Sequence, residues 1–272
     1  MKRAALLFVY SLKRARTFVI ATALLLAALQ LVLIFVAGAI QTSGGFDQLS
    51  ALLPPFAREL LGPSVTMIMS FGGIVCMGYF EVAVMGALIA LAITLATTPT
   101  GEVEIGFMDL ILARPLARHW IISRTIALTT LVPAVVLALM VGGTWAGLQM
   151  FAPSGVQWPS SRLISSLAVN LGMLTLCWGG VALAIGAASS RRSIAGGSAG
   201  LLAFGTFLLD YVARLWQPAE SIAWLSPFRY YNPFDLVTGS PLPVKNLIVL
   251  GSIAVAGFAS SYVLFARRDI SH

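Results

Sequence analysis

Charge is what this sequence has least of. Asp, Glu, Lys and Arg make up 10% of its 272 residues, where a soluble domain carries about 25%. Mean hydropathy is +0.92, and several apolar runs exceed 18 residues, the length at which a helix crosses a bilayer. These values exclude an ordinary soluble domain. Cysteine and histidine are nearly absent. Cys76 and Cys177 lie in separate apolar segments, and His119 and His272 are the only histidines. With no CxxC pair and no Cys/His cluster, a structural metal site is excluded, and the two thiols read as small buried hydrophobes. Of the three lysines none follows a glycine, so there is no G-x-x-x-x-G-K-[ST] phosphate loop and no nucleotide site of that kind. No basic patch interleaved with aromatics is present, which removes nucleic acid as a partner. No ten-residue alternation of apolar and polar letters argues for a membrane barrel.

What remains is an all-α, polytopic membrane protein, because only helices satisfy their own backbone in lipid. Six spans are expected, at 17–40, 82–98, 120–147, 163–188, 194–216 and 246–266. At 1.5 Å per residue they measure roughly 25 to 42 Å, enough for a ~30 Å core. Thr17 to Ile40 is too long for the apolar part of a signal peptide and reads as a retained span. The stretch 64–98 is too long for one upright helix. One span from about Val82 is expected, with the part before it interfacial or partly re-entrant and Glu81 near the outer boundary. The whole chain reads as a single transmembrane domain, with outer segments at 41–81 and 217–245.

Orientation follows from basic residues. Lys2, Arg3, Lys13, Arg14, Arg16, Arg114, Arg118, Arg124, Arg191, Arg192, Arg267 and Arg268 fall on one side. Arg58, Arg162, Arg214, Arg229 and Lys245 fall on the other. Twelve against five places both termini in the cytoplasm of a cell with this chain in its cytoplasmic (inner) membrane. Residues 1–16 read as an interfacial helix. Lys2 with Lys13 and Arg3 with Arg14 are each eleven residues apart, about three turns, so each pair shares a face; Arg16 extends the basic segment. Such a helix lies on anionic membrane lipid.

Against this background "GEVEIGFMDLILARPLAR", Gly101 to Arg118, gathers five charges in eighteen residues. Thr98 to Gly101 reads as the stop of the second span. Glu102 and Glu104 then open a helix at its positive end, and Pro115 ends it near Ala113 with Arg114 at the negative end. Glu102 and Asp109 share one side with Gly106, while Ile105, Met108 and Leu112 share another. Such a helix lies flat at the inner boundary, acidic side toward the cytoplasm. A groove on a soluble partner or plain solvation of a loop helix both accommodate it.

The same stretch resembles, without a gap, the signature of ATP-binding-cassette exporter permeases of the second export type. Gly101, Glu102, Glu104, Gly106, Leu110, Leu112, Pro115 and Arg118 fall on that family's run, and Asp109 stands where Glu is common. Ile105, Phe107 and Ala117 replace a frequent Arg, Thr and Ser. "LSPFRYYNP" (Leu225 to Pro233), "FARRDI" (Phe265 to Ile270) and "LPPFARELLG" (Leu53 to Gly62) are similar to other family segments in the right order. The resemblance implies an exporter half. Two permease chains, identical or homologous, would pair above two soluble ATPase subunits that hold ATP and Mg. The coupling helix of 101–118 would seat on the ATPase through Glu102, Glu104, Gly106, Asp109, Arg114, Pro115 and Arg118. This chain would bind no cofactor and catalyse nothing itself.

Four further features carry expectations. Gly196 and Gly200, four apart, suit close helix packing, within the chain or at a permease interface or cavity. Asp210 and Arg214, also four apart, are expected to pair. Gln30 and Asn170 read as polar glue between helices. Pro227, Tyr230, Tyr231 and Pro233 mark an aromatic outer segment suited to the interface or to a gate. Other functions fit less well. An intramembrane Ser protease needs a His partner in the membrane, and both histidines lie on the cytoplasmic side. A secondary transporter favours mid-membrane ionisable residues and inverted repeats, which are not seen. A non-exporting membrane partner of an ATPase, acting on lipid or envelope, is compatible with the same sequence.

Overall fold

The computed structural model describes residues 2–46, 69–105 and 119–267, and among these every regular element is a helix. They are α1 (Lys2–Thr42), α2 (Phe71–Met77), α3 (Val82–Ala96), α4 (Thr98–Glu104), α5 (His119–Phe151), α6 (Ser161–Ala188), α7 (Arg192–Ala213), α8 (Gln217–Glu220), α9 (Pro233–Val237) and α10 (Val244–Arg267). Two short 3-10 turns, Ala223–Leu225 and Pro227–Tyr230, lie between α8 and α9. Six stretches are long and apolar enough to cross a membrane: Arg16–Thr42, Phe71–Ala96, α5, α6, α7 and α10. The chain is therefore a multi-pass membrane protein, as the apolar runs indicate.

Two boundaries differ from expectation. No separate helix over residues 1–16 is set off from the first span; α1 is one helix of 41 residues, about 60 Å long. Residues 2–37 contain neither Gly nor Pro, so nothing in the sequence breaks it. The second crossing stretch runs from Phe71, while its longer helix starts at Val82 as expected. It is two helices, α2 and α3, joined by a turn at 78–80. Gln30 of α1 donates through Nε2 to the carbonyl of Val75, 2.9 Å away, so the segment before Val82 is packed into the bundle. Gly78 makes room for this contact: a Cβ there would collide with Oε1 of Gln30. Gln30 thus acts as the expected glue. Asn170, fully buried on α6, has no hydrogen-bond partner among the described residues.

Glycine close approaches give the helix directions. Gly143 and Gly147 of α5 lie against Ala27 and Ile34 of α1, and Gly38 lies against the carbonyl of Phe151, so α1 and α5 run parallel. Gly172 meets Leu137 and Gly179 meets Thr129, so α6 runs antiparallel to α5. Gly251 meets Met173 and Gly257 meets Gly180, so α10 runs parallel to α6. One end of the bundle consequently holds the start of α5, the end of α6, the start of α7, the end of α10 and the whole of α4.

The tightest crossing is α6 on α10. A Cβ on Gly180 would stand 2.5 Å from the carbonyl oxygen of Ala254, and one on Gly257 would overlap the backbone of Gly180. Here the small residues let backbones touch. The expected packing pair, Gly196 and Gly200, does no such thing within the chain: a Cβ at either meets no described atom within 4 Å. Helix α7 buries Ala195, Ala199 and Ala203 instead. Gly196 and Gly200 lie beside that alanine stripe, rotated off the contact.

Candidate functional site

Among the described residues the ion pair buried on both sides lies at the α4 end. Pro99 sits in the first turn of α4, where its fixed φ suits a helix start. The threonines around it bond backwards. Thr94, Thr97 and Thr98 donate to the carbonyls of Ala90, Ile93 and Thr94, each four residues back, so hydroxyls add a second donor to backbone acceptors such as Ile93, which also takes the Thr97 N–H. Thr97 is the single residue between α3 and α4. The new helix therefore starts at Thr98, three residues before the expected start at Gly101, because Pro99 opens it.

This shift changes what both carboxylates do. Glu102 does not face water: its side chain is 3% exposed and its Oε2 lies 2.6 Å from Nη2 of Arg124, itself 5% exposed, on α5. Two charges removed from water hold each other, since neither is stable there alone. Nε of Arg124 has no partner among the described residues. Glu104 is exposed, and its Oε2 accepts the backbone N–H of Arg192 at 2.9 Å. A carboxylate thus caps the start of α7, a different helix from its own. The expectation that both residues charge the first turn of their own helix is corrected by the earlier start.

Thr100 makes the third tie. Its hydroxyl donates to the carbonyl of Gly186 at 2.8 Å, within the last turn of α6, where acceptors lack intrahelical donors. Arg192 adds a fourth, donating through Nη2 to the carbonyl of Thr94 at 3.1 Å, a cation at the negative end of α3. Gly101 allows Arg192 this approach, because a Cβ there would stand 2.8 Å from its Cδ. Three of the seven residues of α4 are thus bonded by their side chains to α5, α6 and α7. Ile105 follows, 65% exposed. Gly106, Asp109, Arg114, Pro115 and Arg118, and with them the rest of the expected coupling helix, lie outside the described residues. So do Leu53 to Gly62 and Arg268. Lys13 and Arg16 are exposed on α1; the side chains of Lys2, Arg3 and Arg14 are likewise outside the description.

Sequence reasoning missed Arg124, Arg192, Thr100 and Gly186 as members of this cluster. Both arginines were read only as flanking positive charge. A signal existed for Arg124: an arginine five residues into an apolar helix requires a partner.

The opposite end is held differently. Tyr231 is buried and donates to the carbonyl of Tyr79 at 2.6 Å; burial holds its hydroxyl pKa far above the ordinary tyrosine value. The Tyr79 hydroxyl in turn shares a hydrogen bond of 2.8 Å with Thr144 of α5. Tyr230 donates to the carbonyl of Trp224. Phe228 packs against Trp178 and Phe207, with ring centroids 5.9 and 5.4 Å away, and Pro227 and Pro233 are buried at the starts of their short helices. The "SPFRYYNP" segment therefore folds back onto the bundle. The expected pair is present: Arg214 donates through Nε and Nη2 to Oδ2 of Asp210 at 3.0 and 2.8 Å.

Fold and site together define an all-helical, multi-pass membrane protein with an ion-paired, hydrogen-bonded element clasped at one end of the bundle. No protein-family model matches the sequence, and no curated protein matches it.

Proposed function

We propose that this chain is the membrane-spanning subunit of an ATP-driven exporter, working as a pair of permease chains over two copies of a separate ATP-binding-cassette ATPase. The observation that carries this reading is the clasp of α4. An element of seven residues, bonded to three spans and leading into the charged stretch 106–118, is placed to pass a push at the bundle's end to several helices together. A rigid lever needs fixed attachments, and Glu102–Arg124, Thr100–Gly186 and Glu104–Arg192 supply them. In this reading ATP and Mg sit on the partner, in keeping with a sequence that carries no G-x-x-x-x-G-K-[ST] loop.

In this reading the α4 end faces the cytoplasm of a cell whose inner membrane holds the chain, as the excess of Lys and Arg favours. The basic start of α1 meets the anionic leaflet surface, and the stretch 101–118 is the part that seats on the ATPase. ATP binding closes the ATPase dimer, the coupling helices move, and the bundle shifts between two packings. A non-exporting partner of an ATPase uses the same parts with lipid or envelope as its target. Purification in gentle detergent tests the class. Recovery of a soluble Walker-type ATPase in about equal amount supports it; recovery of this chain alone, with ion-driven uptake in liposomes, overturns it in favour of a secondary carrier.

A further inference from the structure

A groove runs between α3 and α7. Its middle stretch encloses about 250 Å³ and is walled by Met85, Ile89, Phe204, Phe207 and Phe228. A second stretch of about 550 Å³ continues it toward the α4 end, walled by Thr94, Thr97, Arg192, Ser193 and Gly196. The two share Ala90, Ile93 and Gly200, so they form one channel. Its width comes from missing side chains, since a Cβ on Gly86, Gly196 or Gly200 would meet no described atom within 4 Å.

The polarity along this channel is graded. The middle is apolar throughout. The α4 end carries the Arg192 guanidinium, whose single hydrogen bond among the described residues goes to the Thr94 carbonyl, beside the Ser193 hydroxyl and the exposed Arg191. Among the residues that line this stretch Arg192 is the one that carries charge, and Glu104 accepts its backbone N–H, not its guanidinium. Along α3 from Val82 to Thr97 the channel measures about 22 Å, longer than the ~15 Å of one leaflet's hydrocarbon. A cation at one mouth of an apolar trough that leads away from it is complementary to an anionic head on an acyl chain.

We propose that this groove holds an anionic membrane lipid, its charged head on Arg192 and one acyl chain laid along α3 and α7 past Gly200. Joined to the exporter reading, on which only this step rests, the site names anionic lipid as the class of cargo.

Native mass spectrometry of the full chain, released from nanodiscs of phosphatidylcholine and phosphatidylglycerol, tests the binding without any ATPase. Phosphatidylglycerol is expected to stay bound in preference to phosphatidylcholine. Arg192→Gln is expected to lower its occupancy about five-fold, as the loss of one basic contact implies. Gly200→Leu, which fills the trough at a position with open space, is expected to lower occupancy of both lipids. Lys245→Gln, remote from the groove, is expected to change nothing, and a matching melting temperature for each variant shows that the fold is intact. Unchanged occupancy in both groove variants overturns the proposal. Displacement by glycerol phosphate as effective as by the lipid reduces the site to an ion contact and overturns the acyl part. Disulfide pairing of two Gly200→Cys chains, with no bound lipid, gives the groove to a second copy and overturns it as well. Loss of lipid binding with the ATPase still co-purifying defeats this inference alone; lipid binding with no ATPase partner defeats the exporter reading alone.

Discussion

The two ends of the bundle are built from different interactions. At the α4 end a buried ion pair and two capping contacts tie one short helix to three spans. At the opposite end aromatic rings and hydroxyls close the bundle, with Tyr231 bonded to Tyr79 and Tyr79 to Thr144, and each ion pair there, Asp210–Arg214 and Glu220–Arg229, has an exposed partner. Rings in an apolar seat hold a shape by burial and tolerate small shifts. An ion pair out of water is strong only at close range and costs much when one partner is lost. The rings seal an end; the ion pair fixes one short helix to its neighbours.

The largest effect should come from breaking the ion pair on one side. Glu102→Gln or Arg124→Met leaves a buried charge alone and is expected to remove about 3–5 kcal/mol of stability, read as unfolding in mixed detergent micelles. Combining the two should recover most of that loss, because no charge is then stranded. Full additivity of the two losses would show that the residues do not depend on each other. At the other end the cost should be smaller. Tyr231→Phe deletes one hydrogen bond and leaves the Tyr79 carbonyl unpaired, for about 1–3 kcal/mol in the same assay. Smaller still is Glu104→Gln. Its carboxylate is exposed, so the lost cap is expected to cost about 0.5 kcal/mol, with α7 fraying at Arg192 detectable by hydrogen exchange.

The ends should also part in their response to alkali. The folded pKa of Tyr231 is raised, so the folded state keeps a proton that the unfolded chain gives up near pH 10. Its contribution is complete below that pH and falls as pH rises above it. Stability should therefore decline above about pH 10 in the parent chain and decline less in Tyr231→Phe, measured as melting temperature against pH.

Much of this fold is legible in the sequence, and the reasons it stops being so are specific. The six crossings follow from long apolar runs, and the Asp210–Arg214 pair follows from spacing on one helix. The continuity of α1 follows from an absence, since neither Gly nor Pro interrupts residues 2–37, and the change from basic to apolar letters obscures it. The packing glycines show the other limit. Gly196 and Gly200 have the expected spacing, yet the close contact is made by Gly180 and Gly257, one from each of two helices. Spacing along one helix does not say which face meets a neighbour. Within the charged stretch a helix following the second span is readable, but its start at Thr98 and its partners are not. Glu102 finds Arg124 at 22 residues' distance and Glu104 finds Arg192 at 88, separations at which only packing decides.

On the exporter reading proposed above, the α4 end meets a soluble ATPase and the aromatic end does not. Two exposed side chains mark those ends, Ile105 beside α4 and Trp224 in the aromatic segment, 65% and 63% exposed. A photo-crosslinking amino acid placed at each, in the full chain in its own membrane, reads the contact directly. Position 105 is expected to yield an adduct with a soluble protein whose peptides include a G-x-x-x-x-G-K-[ST] loop, and position 224 is expected to yield none. An ATPase adduct at 224, or the absence of one at 105 with the chain intact and folded, would contradict the account.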